Sequence, residues 1–316
     1  MATFKDYLEN NSLLILHGAL GTEMESLGYD ISGKLWSAKY LLEKPEVIQK
    51  IHETYVAAGA DLITTSSYQA TLPGLIDAGL TKEEAEQIIA LTVQLAKNAR
   101  DKVWATLDDS EKAKRPYPLI SGDVGPYAAY LANGSEYTGD YGQIIIEALK
   151  EFHRPRIQIL LDHGVDLLAL ETIPNYLEAQ ALIELLAEEF PEAEAYISFT
   201  VQEPGTISDG TSLDEIAQLV SQSDQILALG INCSSPLLYN QALAILKDVG
   251  KALITYPNSG EVYDGSTQTW KPKDKDALTL VEHSKDWHDQ FGVKILGGCC
   301  RTRPNDIIAL YTEFRT

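Results

Sequence analysis

The sequence is poor in cysteine and in positive charge. Its 316 residues include three cysteines, and 25 lysines and arginines stand against 46 aspartates and glutamates, a formal net charge of −21. A surface this acidic repels nucleic acid and anionic membranes, so we expect neither as a partner. The acids are spread along predicted helix faces, which favours solubility as their role; mild steering of a cationic substrate is the alternative.

The sequence also lacks the segments that direct a chain to a membrane. Acidic residues stand near the start, where a signal peptide needs basic ones, and no apolar run reaches membrane-spanning length. We therefore expect a cytoplasmic protein. An odd number of cysteines, two of them adjacent, does not suit a disulfide framework and indicates metal or thiol chemistry in a reducing compartment.

Nucleotide-binding motifs are missing as well. Residues 17–22 read HGALGT after the first apolar run, where a dinucleotide fingerprint would read G-x-G-x-x-G, and no P-loop occurs anywhere. The sequence therefore lacks the motif that would best indicate dinucleotide binding.

Short apolar, β-branched segments alternate with longer stretches of helical periodicity, which is typical of βα units in a parallel sheet. Several segments are apolar at nearly every position, as in strands covered on both faces. Eight units predict a (β/α)₈ TIM-type barrel, α/β in class, as a single domain over residues 1–316, with an open Rossmann-type sheet as the alternative. The predicted strands are 13–16, 61–65, 119–124, 166–170, 195–200, 226–231, 252–256 and 293–296. The stretch 259–275 is expected to be a long loop.

All three cysteines follow predicted strands. Cys233 comes after the sixth, and Cys299 and Cys300 come after the eighth. In a barrel the working groups lie at the C-terminal strand ends, and a catalytic zinc ion usually has three protein ligands and one open position. Neighbouring strand residues point to opposite faces, so both adjacent cysteines can bind one ion only if the backbone turns. Gly297-Gly298 permits that turn.

The spacing of the cysteines leaves other interpretations open. Free cysteine is among the most buried residue types, so the three could be incidental thiols, and the adjacent pair could form a strained disulfide. The short C-x-x-C spacing of structural zinc sites is absent.

Further motifs occur in order over nearly the whole chain. They are HGALGTE at 17–23, LWSAK at 35–39, TSSYQAT at 65–71, GDVGPY at 122–127, ETIPN at 171–175, GINC at 230–233, YPNSGE at 256–261 and GGCCRT at 297–302. This series resembles the homocysteine S-methyltransferase family, most closely its bacterial S-methylmethionine-dependent branch.

The resemblance implies a (β/α)₈ barrel in which Cys233, Cys299 and Cys300 are catalytic ligands of Zn²⁺. Homocysteine would be the acceptor and methionine the product. A metal-bound thiol is deprotonated and therefore nucleophilic. A sulfonium donor loses its methyl group as a neutral thioether, so S-methylmethionine is the first choice of donor and S-adenosylmethionine the second.

The resemblance also implies contacts to the amino-acid part of homocysteine. Glu171 would pair with its ammonium group, and Gly18 and Thr172 are further candidate contacts. His17 departs from the family, which usually has Asp there. A neutral imidazole can accept a hydrogen bond but supplies no negative charge, so His17 is either a substrate contact, an occasional fourth zinc ligand, or a packed residue.

Aromatic faces could hold the cationic donor by cation–π attraction, and Tyr68, Tyr127 and Trp36 are the candidates, with ordinary packing as the alternative. His153 and His163 lie in a predicted helix away from the strand ends, and we interpret them as structural.

Other functions stay open at this point. A betaine or folate donor, a zinc-binding sensor without turnover, and redox chemistry of the adjacent cysteines are the rivals, whereas the length excludes a complete modular methionine synthase. The sequence does not determine the donor, the zinc affinity, or whether the protein forms a homo-oligomer. It also leaves open whether the task is methionine synthesis, donor salvage or selenohomocysteine methylation.

Overall fold

Parallel strands form the barrel that the alternating segments predict. The computed structural model describes residues 2–33, 35–264, 269–271 and 277–316. The strands are β1 (Leu14–Ile15), β2 (Leu62–Thr64), β3 (Leu119–Val124), β4 (Leu167–Ile173), β5 (Ala195–Phe199), β6 (Ile226–Asn232), β7 (Ala252–Tyr256), β8 (Val262–Asp264), β9 (Thr269–Lys271) and β10 (Val293–Leu296).

Helices follow the barrel strands and surround them. They are α1 (Phe4–Asn10), α2 (Leu20–Ser26), α3 (Lys39–Glu43), α4 (Pro45–Ala57), α5 (Leu72–Asp77), α6 (Lys82–Thr106), α7 (Asp109–Lys112), α8 (Tyr127–Leu131), α9 (Ile146–Asp162), α10 (Tyr176–Glu189), α11 (Leu213–Ser221), α12 (Tyr239–Leu246), α13 (Leu280–Phe291) and α14 (Pro304–Arg315). Many begin with a side-chain cap that sequence patterns predict; Thr81, Ser212 and Thr279 each form a capping box with the glutamate three residues on.

The strand order is β1-β10-β7-β6-β5-β4-β3-β2, and all neighbours are parallel. A bridge between Leu16 and Leu62 joins the two ends of this order, together with a 2.6 Å hydrogen bond from the Asp61 amide to the Ile15 carbonyl. The sheet therefore closes into a (β/α)₈ barrel. This confirms the predicted fold and rules out the open Rossmann-type sheet.

Two layers of buried apolar residues stabilise the barrel. One cluster lies between the strands and the surrounding helices; the other fills the interior and includes Leu119 of β3, Leu167 and Ala169 of β4, and Tyr256 of β7. Because residues two apart on a strand share a face, these positions identify the inward side of each strand. The same side carries polar residues at the C-terminal ends.

Three predicted strands, 119–124, 252–256 and 293–296, have the observed bounds, and the others differ by up to three residues. The predicted loop 259–275 is wrong in part, because it contains the antiparallel pair β8 and β9; its residues 265–268 and 272–275 lie outside the described residues. Within the described ranges, no helix has the length and apolar character needed to cross a membrane.

Candidate active site

The three cysteines converge at the C-terminal end of the barrel. The sulfurs of Cys233 and Cys300 lie 3.6 Å apart, and the three Sγ atoms lie within 4.8 Å of one another. Cys233 follows β6 directly, and Cys299 and Cys300 follow β10 after two glycines. The predicted grouping of these residues is therefore present in the structure.

The segment that follows β7 holds the cysteine backbones in place. The Cys299 amide donates to the Pro257 carbonyl at 2.8 Å, and the Ser259 amide donates to the Cys300 carbonyl at 3.0 Å. The Cys233 amide donates to the Tyr256 carbonyl at 3.3 Å. Since β7 lies between β6 and β10, the residues at its C-terminal end hold Cys233 on one side and Cys299 and Cys300 on the other.

The turn before the adjacent cysteines does not require the positive φ angles that glycine adopts more easily than other residues. Gly297 and Gly298 do not have positive φ, whereas Arg301 has φ +68°. The glycines are needed because space is short: a Cβ on Gly297 would lie 2.7 Å from Leu16 Cβ, and one on Gly298 would lie 2.6 Å from Thr302 Cβ. The turn is present as predicted, and the glycines permit it by their lack of a side chain rather than by positive φ.

Hydrogen bonds among the thiols separate their acidities. Hydrogen bonds from Cys233 and Cys299 hold the pKa of Cys300 well below its ordinary value. Hydrogen bonds with Cys233 and Cys300, together with burial, raise the pKa of Cys299. All three cysteines are free, so the predicted alternative of a disulfide between the adjacent pair is not observed.

The donor set fits a thiolate-binding metal. Tetrahedral zinc with metal–sulfur bonds of about 2.3 Å places its sulfurs about 3.8 Å apart. The 3.6 Å between Cys233 and Cys300 is close to that spacing. The cluster can therefore hold a metal ion without large rearrangement of these two ligands.

Glu171 lies on the inward side of β4, two residues after Ala169. The Tyr256 hydroxyl donates to its Oε2 at 3.1 Å, and a further hydrogen bond joins Tyr256 to Ser198. Burial raises the pKa of Glu171 to about 7, although hydrogen bonds with Tyr256 and Asp123 act in the opposite direction. Glu171 is thus a half-buried residue whose carboxyl group lies within the electrostatic reach of Cys300.

Asn232 fixes the residue that follows Glu171. Its Oδ1 accepts from the Thr172 amide at 3.0 Å, and its Nδ2 donates to Thr172 Oγ1 at 2.7 Å. Thr172 has φ +63°, a conformation that strains a β-branched residue and that neighbouring contacts must hold. Asn232, directly before Cys233, was not predicted as a site residue; a polar side chain at the end of an apolar strand was the available signal.

His17 is a neutral side chain beside helix α4. Burial lowers its pKa to about 4, its Nδ1 contacts the Gly18 carbonyl, and its ring lies 5.5 Å from that of Tyr55. Gly18 packs next to the cysteine turn, since a Cβ there would lie 3.0 Å from Thr302 Oγ1. Contacts of His17, Gly18 and Thr172 with a substrate stay predictions.

The candidate aromatic residues separate into two places. Tyr68 lies near the cysteines: burial and then the charges of Glu136 and Cys233 raise its pKa, and Trp36 meets its ring edge to face at 6.5 Å. The Tyr127 ring instead packs in an aromatic cluster, 5.0 Å from Phe152. Tyr68 is therefore within the electrostatic reach of Cys233, with Trp36 beside it, whereas Tyr127 belongs to a separate aromatic cluster.

A buried network supports the loops after β2 and β3. Glu178 accepts from the Tyr127 amide at 2.5 Å and from His153 Nε2 at 2.8 Å. Arg156 donates to His153 Nδ1 at 3.1 Å and to the Tyr68 carbonyl at 2.9 Å. Because carboxylates only accept and guanidinium groups only donate, His153 carries its proton on Nε2. The structural role predicted for His153 is confirmed.

Comparisons with known proteins agree with one another. A family model for homocysteine S-methyltransferase matches residues 14–314. Homocysteine S-methyltransferase YbgG of Bacillus subtilis is 44% identical over 309 residues, 97% of this chain and 96% of its own length. Selenocysteine methyltransferase of Astragalus bisulcatus is 41% identical over 311 residues, 94% and 91% of the two chains. The crystal structure of the homocysteine methyltransferase MmuM from Escherichia coli, in metallated form, matches with a TM-score of 0.85 and 40% identity, covering 97% and 98%.

Proposed function

The chain belongs to the homocysteine S-methyltransferase family and is an enzyme of that class, and from this premise we propose that it is zinc-dependent and takes the methyl group from a sulfonium donor. The observation that carries the proposal is the convergence of Cys233, Cys299 and Cys300 at the open end of the barrel. S-methylmethionine is the proposed donor, with S-adenosylmethionine second.

The three cysteines would hold the zinc ion. A three-thiolate donor set suits zinc, and the similar MmuM structure is described as metallated, which supports a metal at this site. When bound, the ion keeps the homocysteine sulfur deprotonated and so nucleophilic. The sulfur forms a new bond to the methyl carbon as the carbon–sulfur bond of the donor breaks, and the donor leaves as a neutral thioether.

Residues of the barrel orient the two substrates. We expect Glu171 to bind the ammonium group of homocysteine, since it is a half-buried acid within the electrostatic reach of Cys300. Asn232, directly before Cys233 at the end of β6, holds Thr172 near the end of β4 by two hydrogen bonds. Tyr68 and Trp36 present aromatic faces that can attract a sulfonium cation by roughly 0.5 to 2 kcal/mol each.

The proposal is tested by methionine formation with zinc-loaded protein, homocysteine and, in separate reactions, S-methylmethionine, S-adenosylmethionine or betaine. We expect turnover with a sulfonium donor, its loss after chelation and its return with zinc. The Cys299→Ser variant should lose both bound zinc and turnover. Chelator-resistant turnover would contradict zinc dependence, and faster turnover with betaine would contradict the sulfonium donor.

The similarity to a selenocysteine methyltransferase motivates one further comparison of acceptors. Selenohomocysteine and selenocysteine should be tested beside homocysteine under the same conditions. Bound zinc with no turnover on any donor and acceptor would instead support the sensor interpretation.

A further inference from the structure

Asp123 is a second acid inside the barrel that neither the fold nor the three cysteines require. It belongs to β3, four residues after the inward-facing Leu119, so it points into the interior at the C-terminal end. In the sheet register Asp123 is opposite Ala169, and Glu171 is two residues further along the same face of β4. The two carboxyl groups are close enough to interact: burial and then the charge of Glu171 raise the pKa of Asp123 well above its usual value.

In the described part of the chain, neither acid forms an ion pair with a basic side chain, although the charge of Arg156 acts on Asp123 and lowers its pKa. The Asp123 side chain is 4% exposed, and its Oδ1 has no hydrogen-bond partner among the described residues. Arg156 donates through its Nη atoms to the carbonyls of Ser67, Tyr68 and Gly125 and to His153, and its Nε, like Asp123 Oδ1, has no hydrogen-bond partner among the described residues. A buried acid is normally paired, so an unpartnered one at the open end of a barrel indicates a cationic ligand.

We propose that Asp123 is a specificity-determining residue of this enzyme that, together with Glu171, binds the ammonium group of the acceptor amino acid. The inference rests on the proposed function for the identity of that acceptor. An ammonium group has three donors, so it can bond to Glu171 and to the free Oδ1 of Asp123 at the same time. The two strands β3 and β4 would then hold the amino end while the cysteines hold the sulfur end.

A role for Asp123 in this enzyme is consistent with the state of His17. The imidazole is neutral and packs against Tyr55, so the end of β1 supplies no negative charge. Among the described residues that face the barrel interior from a strand, Asp123 and Glu171 are the two acids on adjacent strands. The charge that recognises an ammonium group therefore comes from the β3–β4 side of the barrel.

The experiment compares homocysteine with 4-mercaptobutanoate, which is the same thiol acid without the amino group. Affinity is measured by titration calorimetry and kcat/KM by methyl transfer, for the zinc-loaded wild type, Asp123→Asn and the control Asp162→Asn, an exposed carboxylate on α9. For homocysteine we expect Asp123→Asn to lower both by about 10- to 100-fold, as for loss of a charge-assisted hydrogen bond. For 4-mercaptobutanoate we expect a change of less than about 3-fold, and Asp162→Asn should match wild type with both.

Equal losses with the two acceptors, or no loss with either, would overturn the inference. A selective rise in the KM of the donor would overturn it as well, because Asp123 would then serve the other substrate. If Asp123→Asn does not fold, judged by its urea midpoint, Asp123→Ala replaces it. Wild-type protein that transfers no methyl group refutes the proposed function, yet calorimetry with the two thiols still tests Asp123 separately.

Discussion

The buried network of Glu178, His153 and Arg156 gives the sharpest prediction for stability. We expect Glu178→Gln to lower the free energy of unfolding by about 3 kcal/mol, because a fully buried carboxylate that accepts from His153 and the Tyr127 amide becomes a neutral amide. Each charge-assisted bond loses about 1 kcal/mol, and Arg156 loses the attraction of the Glu178 charge, which leaves Asp123 as the other acid that acts on it.

The same change should also disturb the active site. Arg156 donates to the Ser67, Tyr68 and Gly125 carbonyls, so loss of its anchor loosens the loops after β2 and β3. Urea unfolding measures the stability, and the KM values for donor and acceptor, determined well below the unfolding transition, measure the site. Glu192→Gln, an exposed position, is the control. A loss below about 0.5 kcal/mol for Glu178→Gln would refute the reasoning, since two charged bonds cannot be that weak in a buried site.

Three further predictions concern other parts of the barrel. Asn232→Ala should lower stability by about 2 to 3 kcal/mol in urea unfolding, because both bonds to the strained Thr172 are lost; an unchanged midpoint would contradict this. Gly298→Ala should reduce bound zinc, measured by metal analysis of folded protein, because its Cβ would displace Thr302 and the cysteine turn; full zinc content would refute it. Burial lowers the pKa of His52 to about 3 in the folded state, whereas in the unfolded chain His52 takes up a proton below about pH 6.5. The free energy of unfolding therefore decreases as the pH falls below about 6.5. At pH 5 the loss is about 2 kcal/mol, and His52→Leu should shrink the drop in Tm between pH 7 and 5; an equal drop would exclude His52 as its source.

The barrel could be predicted from the sequence because its strands are buried on both faces. Such strands are apolar at nearly every position, so 119–124, 252–256 and 293–296 are predicted with their observed bounds. The β8–β9 pair has no such signal, because it joins no other strand of the described chain and its residues resemble a polar loop. The cysteines could be placed at one rim because each lies within four residues of the end of a predicted strand.

The acid pair could not be predicted, because it depends on register. Asp123 lies within an apolar strand segment and Glu171 lies 48 residues later, and the sequence contains nothing that says how far β3 and β4 are shifted against each other. The register places Asp123 opposite Ala169, which brings the two carboxyl groups together. His52 and Arg156 were missed for a related reason: their partners are set by how helices pack on the barrel, not by local pattern.

The closure between β1 and β2 has a consequence for how the chain folds. Arg315 donates to the Leu13 carbonyl at 2.8 Å and to Asp61 Oδ2 at 2.7 Å, and the same oxygen accepts from the Ile15 amide. Contacts between segments 302 residues apart in sequence carry a high loop-closure entropy and form slowly. We therefore expect the last helix to complete the barrel late in folding, and until then β1 and β2 each present an open edge on the side where they later meet. Hydrogen exchange during refolding should show the amides that join these two strands gaining protection last.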